Sequence, residues 1–524
     1  MTIEPPITDK LSIRATNQLR TAPPLPFLRV ALVPLDRLVA AIGPRYRSFL
    51  WLVTRVHPRV LATLGRWRAA RAVDHARRRV PAYRTFLKAH DVSQSEIRAL
   101  RLPETDKDRY VRAHSLESRC LDGRLPTRDV AIDESSGSTG IPYNWIRTTR
   151  ERVTSHIFIS HFARYCFGRD PMITINAFSM GAWATGVNMG IALQRNGIVK
   201  NTGPDLDKIL STLEFLGSEH RYLICGYPPF LKHVIDASRE RGFPLHEYSL
   251  MGLVGGEGMS EGLRDYLNQV FSPVYSGFGA TDLEIGIAGE TPLSVAIRQT
   301  ARRNEALQSA LFGADSRLPM IFQYNPLNHH VVVNKAGELI YTINRLEVLS
   351  PRIMYNVHDE GGVATFVEME GRFRSVGEDL GRLVDPSMGK TLRLPFLWVY
   401  GRKDSTASVM GANIYPEDVE RALYDEPDLA AKTHSFCLGL VEDEHGAVRP
   451  CFSFEIHCDT TDALTAEFEA RITERIRTFN ADFREAMKEH PTSVRPVVQL
   501  FALGDGPFAA DATKIKQTRV VELS

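Results

Sequence analysis

Residues 249–257, SLMGLVGGE, and 272–279, SPVYSGFG, decide how this chain is read. Each is an apolar run of strand length that breaks into glycine. Gly255-Gly256-Glu257 closes the first, and Phe278-Gly279-Ala280-Thr281-Asp282 closes the second. The same pattern recurs upstream at 171–178, PMITINAF, and 221–227, RYLICGY. Buried strands followed by turns and helical stretches predict an α/β body with largely parallel sheets, from about residue 100 to 400. Residues 329–343, HHVVVNKAGELIYTI, are two β-rich runs around Asn334-Lys335-Ala336-Gly337. That pattern predicts a hairpin, so part of the body is antiparallel.

The flanks differ from this body. Residues 1–85 read as a helical preamble, with Ala69, Val73, Ala76 and Val80 on one stripe. Arg68, Arg71, His75 and Arg78 fall on another face, read as solvated rather than as a nucleic-acid footprint. Residues 27–64 are rich in Leu, Val and Phe, but Arg29, Asp36, Arg37, Arg45, Arg47 and Arg55 interrupt them too often for a membrane span. They read as amphipathic helices packed on the body, with peripheral membrane contact as the lesser alternative. Past Gly401, Pro416 opens a short helix carrying Val419 and Leu423 inward. Strand-like runs follow at 434–441 and 449–457, then a helix through Leu464, Phe468, Ile472, Ile476 and Phe479, then the strand VVQLFAL at 497–503. The expected division is a preamble at 1–85, a main domain at 86–400 and a small α+β domain at 401–524.

Composition excludes several classes. The chain has 524 residues, 43% hydrophobic and 24% charged, an ordinary globular balance that excludes wholesale disorder, a coiled coil and a collagen-like fibre. Its 64 basic and 62 acidic residues leave +2, with no global attraction to nucleic acid. The N-terminus MTIEPPITDK lacks the basic head and apolar run of a signal peptide. Cys120, Cys166, Cys225, Cys437, Cys451 and Cys458 form no C-x-x-C pair and no disulfide framework, which fits a reducing cytoplasm.

The chemistry concentrates in a few segments. Ser135-Ser136-Gly137-Ser138-Thr139-Gly140-Ile141-Pro142 sets small hydroxyl residues between glycines, so that backbone N–H groups can converge on phosphate oxygens. It lacks the Gly-Lys-Ser/Thr ending of a Walker A loop. After the two glycine-ended strands come Pro351-Arg352-Ile353-Met354-Tyr355 leading to Asp359, then Gly401-Arg402-Lys403-Asp404. Gly411-Ala412-Asn413-Ile414-Tyr415-Pro416-Glu417-Asp418-Val419-Glu420 and Lys514-Ile515-Lys516 complete the series. Each fragment alone is a turn, a cap or a tail. Their order is what carries weight.

In that order they resemble the adenylate-forming (ANL) superfamily, within it the phenylacetate–CoA ligase-like branch, over roughly residues 80–520. Val80-Pro81-Ala82-Tyr83-Arg84, Thr105-Asp106-Lys107 and Asn176-Ala177-Phe178-Ser179-Met180-Gly181-Ala182-Trp183 are similar to segments of that branch. The resemblance implies a large N-terminal α/β body of several subdomains with mixed sheets, and a small mobile α+β C-terminal lid. It implies an acid–thiol ligase: a carboxylic acid attacks the α-phosphorus of ATP, and a thiol, coenzyme A first among them, then takes the acyl group. Ser135, Ser136, Gly137, Ser138, Thr139 and Gly140 would cradle the β- and γ-phosphates. Thr281 would reach the α-phosphate and Asp282 would hold Mg²⁺. Phe278 would offer adenine a stacking face, with Gly255, Gly256 and Glu257 lining its other side and Gly279 also at the ATP site; Asp359 would accept from the ribose hydroxyls, with Arg402 nearby on ribose or phosphate. Lys514 would be the lid lysine bridging α-phosphate and carboxylate. Asp404 would be the hinge, and Gly411 would let a pantetheine arm pass. Phe178, Met180, Gly181 and Trp183 would line the acyl pocket.

The chain departs from the family pattern at two points. Phe278 and Asp282 stand in a motif usually written Tyr-Gly-x-Thr/Ser-Glu, which brings Glu284 forward as a helper for Mg²⁺. Thr513 replaces the glycine before the lysine, leaving Lys516 as a competitor. A carrier-protein thiol or an amine as acceptor, and a nucleotide-binding homologue that has lost catalysis, stay open as alternatives. His329-His330 reads as a structural pair, since strand neighbours face opposite ways. Cys225 reads as a buried inert thiol, and Glu347/Glu368 and Glu442/Asp443 as surface. The charged segment 290–320 has no assigned role.

Overall fold

The two glycine-ended runs lie side by side and parallel in the computed structural model, Gly252 opposite Val274 and Gly255 opposite Gly277. The structure describes residues 21–135, 143–313, 315, 317–384, 390–402, 407–409, 412–442, 448–489, 491–509 and 520–522. The strands are β1 (Val130–Glu134), β2 (Asn144–Thr148), β3 (Met172–Asn176), β4 (Gly197–Asn201), β5 (Arg221–Gly226), β6 (Ser249–Gly255) and β7 (Val274–Ala280). Next come β8 (Glu284–Gly289), β9 (Met320–Tyr324), β10 (His329–Val333), β11 (Glu338–Ile343), β12 (Tyr355–Ala364) and β13 (Phe396–Arg402). The C-terminal part adds β14 (Ala407–Val409), β15 (Ala412–Ile414), β16 (Thr433–Glu442), β17 (Val448–Ile456), β18 (Val497–Phe501) and β19 (Val520–Glu522).

Eleven of these strands form one mixed sheet in the order β10-β11-β12-β13-β9-β8-β7-β6-β5-β3-β4. From β4 to β7 the pairing is parallel. From β7 to β10 it is antiparallel, including the expected hairpin with His329 opposite Ile343. The parallel part is smaller than the sequence pattern suggests. Only Thr281-Asp282-Leu283 joins β7 to β8, too short for the crossover a parallel pair needs. Helices Leu206–Leu216, Pro228–Glu240 and Glu261–Leu267 connect the parallel strands. Asp205 and Ser260 side chains cap the first and third, each accepting from a first-turn backbone N–H.

The N-terminal helices α1 (Leu25–Ala31), α2 (Val33–Ile42), α3 (Tyr46–Arg55) and α4 (Pro58–Arg79) lie on this body. Ala69, Val73, Ala76 and Val80 join the main core, as their spacing predicts. The arginine face of α4, however, is solvated only in part: Arg78 is exposed, while Arg68 and Arg71 are drawn into ion pairs. Arg68 is buried and pairs with Asp36 at 3.0 Å, and Arg71 pairs with the same carboxylate. Asp74 is fully buried between Arg29 at 2.7 Å, Arg77 at 3.1 Å and Arg78 at 3.2 Å. Helices α1 and α2 cover part of the polar stripe and bring these partners. The Asn344 amide fastens α4 to the body by donating to the carbonyls of Gly65 and Pro326 at 3.1 and 2.9 Å. Among the described residues no helix is long and apolar enough to cross a membrane.

A second core lies within residues 407–498. Phe468, Ile472 and Ile476 of helix Asp462–Phe479 pack there with Phe452 and Phe454 of β17. Helix Pro416–Tyr424 turns Val419 and Leu423 into the same core. This part is docked on the body. The Ser260 N–H donates to Glu420 at 3.0 Å, and Lys232 Nζ donates to the Thr433 carbonyl at 2.5 Å. Within the segment 290–320, Arg298, from helix Pro292–Arg303, donates to buried Glu261 at 2.9 Å.

Candidate active site

The β7–β8 hairpin is the centre of the site. Gly279 is required there, because a Cβ would stand 2.9 Å from both the Glu284 carbonyl and the Gly286 nitrogen. Two arginines grip the turn from beneath. Arg147 of β2 donates to the carbonyls of Thr281 and Leu283, and Arg352 Nε donates to the Asp282 carbonyl at 2.7 Å. With its carbonyls engaged below, the turn leaves Thr281 and Asp282 partly exposed, the Asp282 side chain by about one-fifth. Arg147 is itself held by Asp133 of β1 at 2.8 Å. The β1–β2 hairpin is thereby locked to the turn.

Two donors approach the Asp282 carboxylate. The Tyr355 hydroxyl donates to Oδ2 at 3.1 Å, and Lys107 Nζ lies 3.4 Å from the same oxygen. Burial and then the charge of Asp282 push the Tyr355 hydroxyl well above the usual phenol range, so it remains a donor at neutral pH. Lys107 arrives because Thr105 bridges β12: its N–H donates to the Met354 carbonyl at 2.9 Å, and Asn356 N–H returns a bond to Thr105 O at 2.8 Å. The Arg352 guanidinium stacks on Trp145 at 4.5 Å. Burial lowers Arg352 to about 10, so it stays charged at neutral pH.

Ser135 closes the neck of the loop ahead of β2. Its N–H donates to Tyr143 O at 3.0 Å and its Oγ accepts from Tyr143 N–H at 2.9 Å. Gly255 ends β6, and Gly256 takes φ +85°, a backbone conformation that favours glycine and turns the chain toward Glu257. Phe278 lies half-exposed over the sheet, its ring 5.4 Å from Phe322 and 6.2 Å from Tyr341. Asp359 of β12 is paired in register with Arg402 of β13. The expected Ser136, Gly137, Ser138, Thr139 and Gly140, with Asp404, Gly411 and Lys514, lie outside the described residues.

The expected acyl segment divides. Phe178 is a core residue, buried and edge-on to Tyr227 at 5.3 Å. Met180 and Trp183 are half-exposed and Gly181 is exposed, with φ +93°. Glu284 does not join Asp282. It is buried between Arg345 and His329 and accepts from Ser155 Oγ at 2.9 Å. Burial raises its pKa, but Arg345 and His329 outweigh that and carry it down to about 2. Its carboxylate is committed to the core, which removes it as a helper for a metal. His329 is thereby the structural residue the strand pattern suggests, and Cys225 is buried with its thiol pushed up by burial.

Sequence reasoning missed Arg147 and the contact made by Lys107. Lys107 stood in the quoted Thr105-Asp106-Lys107, but nothing local to that tripeptide points to residue 282.

Comparison with known proteins supports the motif-based resemblance. No family model matches the chain. Phenylacetate-coenzyme A ligase from Aromatoleum evansii is 23% identical over 381 residues, 71% of this chain and 77% of that protein. The solved 2-hydroxyisobutyryl-CoA ligase in the postadenylation state, in complex with R3-HIB-AMP, matches with a TM-score of 0.63 at 14% identity, over 90% of this chain and 91% of that one. The same ligase with 2-HIB-AMP and CoA in the thioesterification state matches with a TM-score of 0.52 at 16% identity, over 90% and 91%. The chain has the fold of these adenylate-forming ligases.

Proposed function

We propose that this protein is an AMP-forming acid–thiol ligase that activates a carboxylic acid as its acyl-adenylate and transfers the acyl group to coenzyme A. The observation that carries this reading is the Thr281–Asp282 turn. Two buried arginines bind its carbonyls, leaving Thr281 and Asp282 partly exposed next to the ammonium of Lys107. Similarity to phenylacetate-coenzyme A ligase supports the acid and thiol partners.

Negative charge develops on phosphoryl oxygens in the first step and on a carbonyl oxygen in the second, so placed cations and N–H donors should dominate catalysis. Thr281 would donate to the α-phosphate, Lys107 would neutralise phosphate charge and Lys514 would bridge phosphate and carboxylate. Asp359 would accept from the ribose hydroxyls, with Arg402 beside it. Phe278 would offer adenine its exposed ring face. Among the described residues no cluster of three or more His, Cys, Asp or Glu suits a metal. That donor set fits Mg²⁺ carried by nucleotide phosphates, which needs only one or two protein carboxylates, here Asp282. Bound there, Mg²⁺ would offset charge on the leaving pyrophosphate.

The half-exposed Met180 and Trp183 favour an apolar acid, aryl acids first. Six cysteines without a disulfide favour a cytoplasmic location. The test is pyrophosphate release across aryl, short-chain and long-chain acids, followed by AMP release with and without coenzyme A. Pyrophosphate release that needs an aryl acid, with AMP release that needs coenzyme A, is expected. AMP release indifferent to coenzyme A overturns the thioester step.

A further inference from the structure

Helix α2, VPLDRLVAAI, has no buried residue although seven of its ten side chains are Val, Leu, Ala or Ile. Its neighbours also turn apolar groups outward: Phe27 is 55% and Val30 74% exposed on α1, Leu38 53% on α2 and Trp51 61% on α3. Isolated exposed apolar residues are ordinary, but a concentration on consecutive helices marks an interaction surface. Each helix keeps a different stripe for the body. Leu25 and Leu28 of α1 enter the main core, and Val53 of α3 enters a smaller one that Val39 of α2 partly covers.

Charge says what fits this surface. Between residues 21 and 60 the one acid is Asp36, and it is turned inward onto Arg68 and Arg71. Arg37, Arg45, Arg47, Arg55 and Arg59 are exposed. On α3, Arg47, Trp51 and Arg55 follow at i, i+4 and i+8, so an exposed indole lies between two guanidinium groups on one stripe. The chain as a whole balances its charges; this surface does not.

We propose that α1–α3 form a peripheral docking surface for an anionic lipid membrane. Phe27, Val30, Leu38 and Trp51 enter the boundary between headgroups and acyl chains, and the arginines reach lipid phosphates on their flexible stems. The helices lie on the bilayer and do not cross it, in keeping with their length. An acidic protein surface would satisfy the arginines, but would not call for so many uncovered apolar groups on separate helices. The inference is independent of the ligase reading.

Flotation of the full chain with vesicles tests it. Partitioning onto phosphatidylcholine–phosphatidylglycerol vesicles should exceed that onto phosphatidylcholine alone by about tenfold or more, and should fall as salt shortens the screening length. L38E/W51E should reduce partitioning at least about tenfold, and R47E/R55E by about fivefold for each arginine lost. Both variants alter exposed side chains, so thermal unfolding and acid-dependent pyrophosphate release should stay unchanged. Failure of the wild type to bind either vesicle overturns the proposal, as does equal binding by wild type and L38E/W51E. Conversion of a dimer to a monomer by L38E/W51E, without vesicle binding by the wild type, would assign the surface to a second copy and overturn it too.

Discussion

Lys107 holds its ammonium 3.4 Å from the carboxylate of Asp282, and the Tyr355 hydroxyl donates to that same oxygen at 3.1 Å. The lysine and the aspartate belong to distant parts of the chain and meet because Thr105 docks on β12. Both side chains are about one-fifth exposed, and the lysine stands 3.4 Å off, so its cation remains within reach of an incoming anion. Lys107→Met should therefore lower acid-dependent pyrophosphate release by about 100-fold while costing about 1–3 kcal/mol of stability, since Asp282 keeps the Tyr355 donor. Initial rates and denaturant unfolding measure the two effects. An unchanged rate removes Lys107 from the site.

Lys514→Ala should reduce acid-dependent pyrophosphate release by about 100-fold or more, through loss of a positioned charge at the transferring phosphoryl group. Coenzyme A-dependent AMP release from a supplied acyl-adenylate should persist. Lys516→Ala should affect neither step. The reverse pattern transfers the role to Lys516.

Glu284 makes stability depend on pH in a defined direction. Its pKa falls from 4.5 to about 2 in the folded protein, so its contribution is fully present above pH 4.5 and is lost as pH drops toward 2. The shift corresponds to about 3 kcal/mol. Glu284→Gln should destabilise the protein by about 3–5 kcal/mol at neutral pH, because Arg345 loses its buried partner. It should also flatten the acid limb between pH 4.5 and 2. Equal acid limbs in chemical denaturation of the two proteins would count against this account.

Gly262 is a point of close approach between the C-terminal part and the body. A Cβ there would lie 2.3 Å from the Tyr424 Cβ, and both helix backbones resist the shift. Gly262→Ala should weaken docking of the second core by about 1–3 kcal/mol. Limited proteolysis should then cut within residues 403–524 faster than in the wild type, with the body still protected. Unchanged protection would mean that the docking surface yields.

Some features were legible because they are local. The runs at 249–255 and 274–280 are apolar strands ending in glycine, and both are neighbouring strands of the sheet. The period of Phe468, Ile472 and Ile476 marks one buried helix face, and it is one. Other features were not legible. Arg68 and Arg71 fit a solvated face by period alone, because helical periodicity does not report what covers the polar side. Asp36 arrives on a different helix. Glu284 looked available to a metal from its place near Asp282, but Asp282 lies in the turn while Glu284 begins β8, where its side chain enters the core between Arg345 and His329.

The amino-acid sequence alone determined the chemical vocabulary: glycine-ended strands, a hydroxyl- and glycine-rich loop, a Thr–Asp turn and the order in which they follow. Backbone preference and side-chain period act over a few residues, so those elements declare themselves locally. Only the tertiary structure decided which groups meet: Lys107 with Asp282, Arg147 and Arg352 with the turn carbonyls, and Asp36 with the arginines of α4. Those meetings depend on strand order and helix packing across distant parts of the chain, where burial of apolar faces, not local propensity, sets which side chains come within bonding distance.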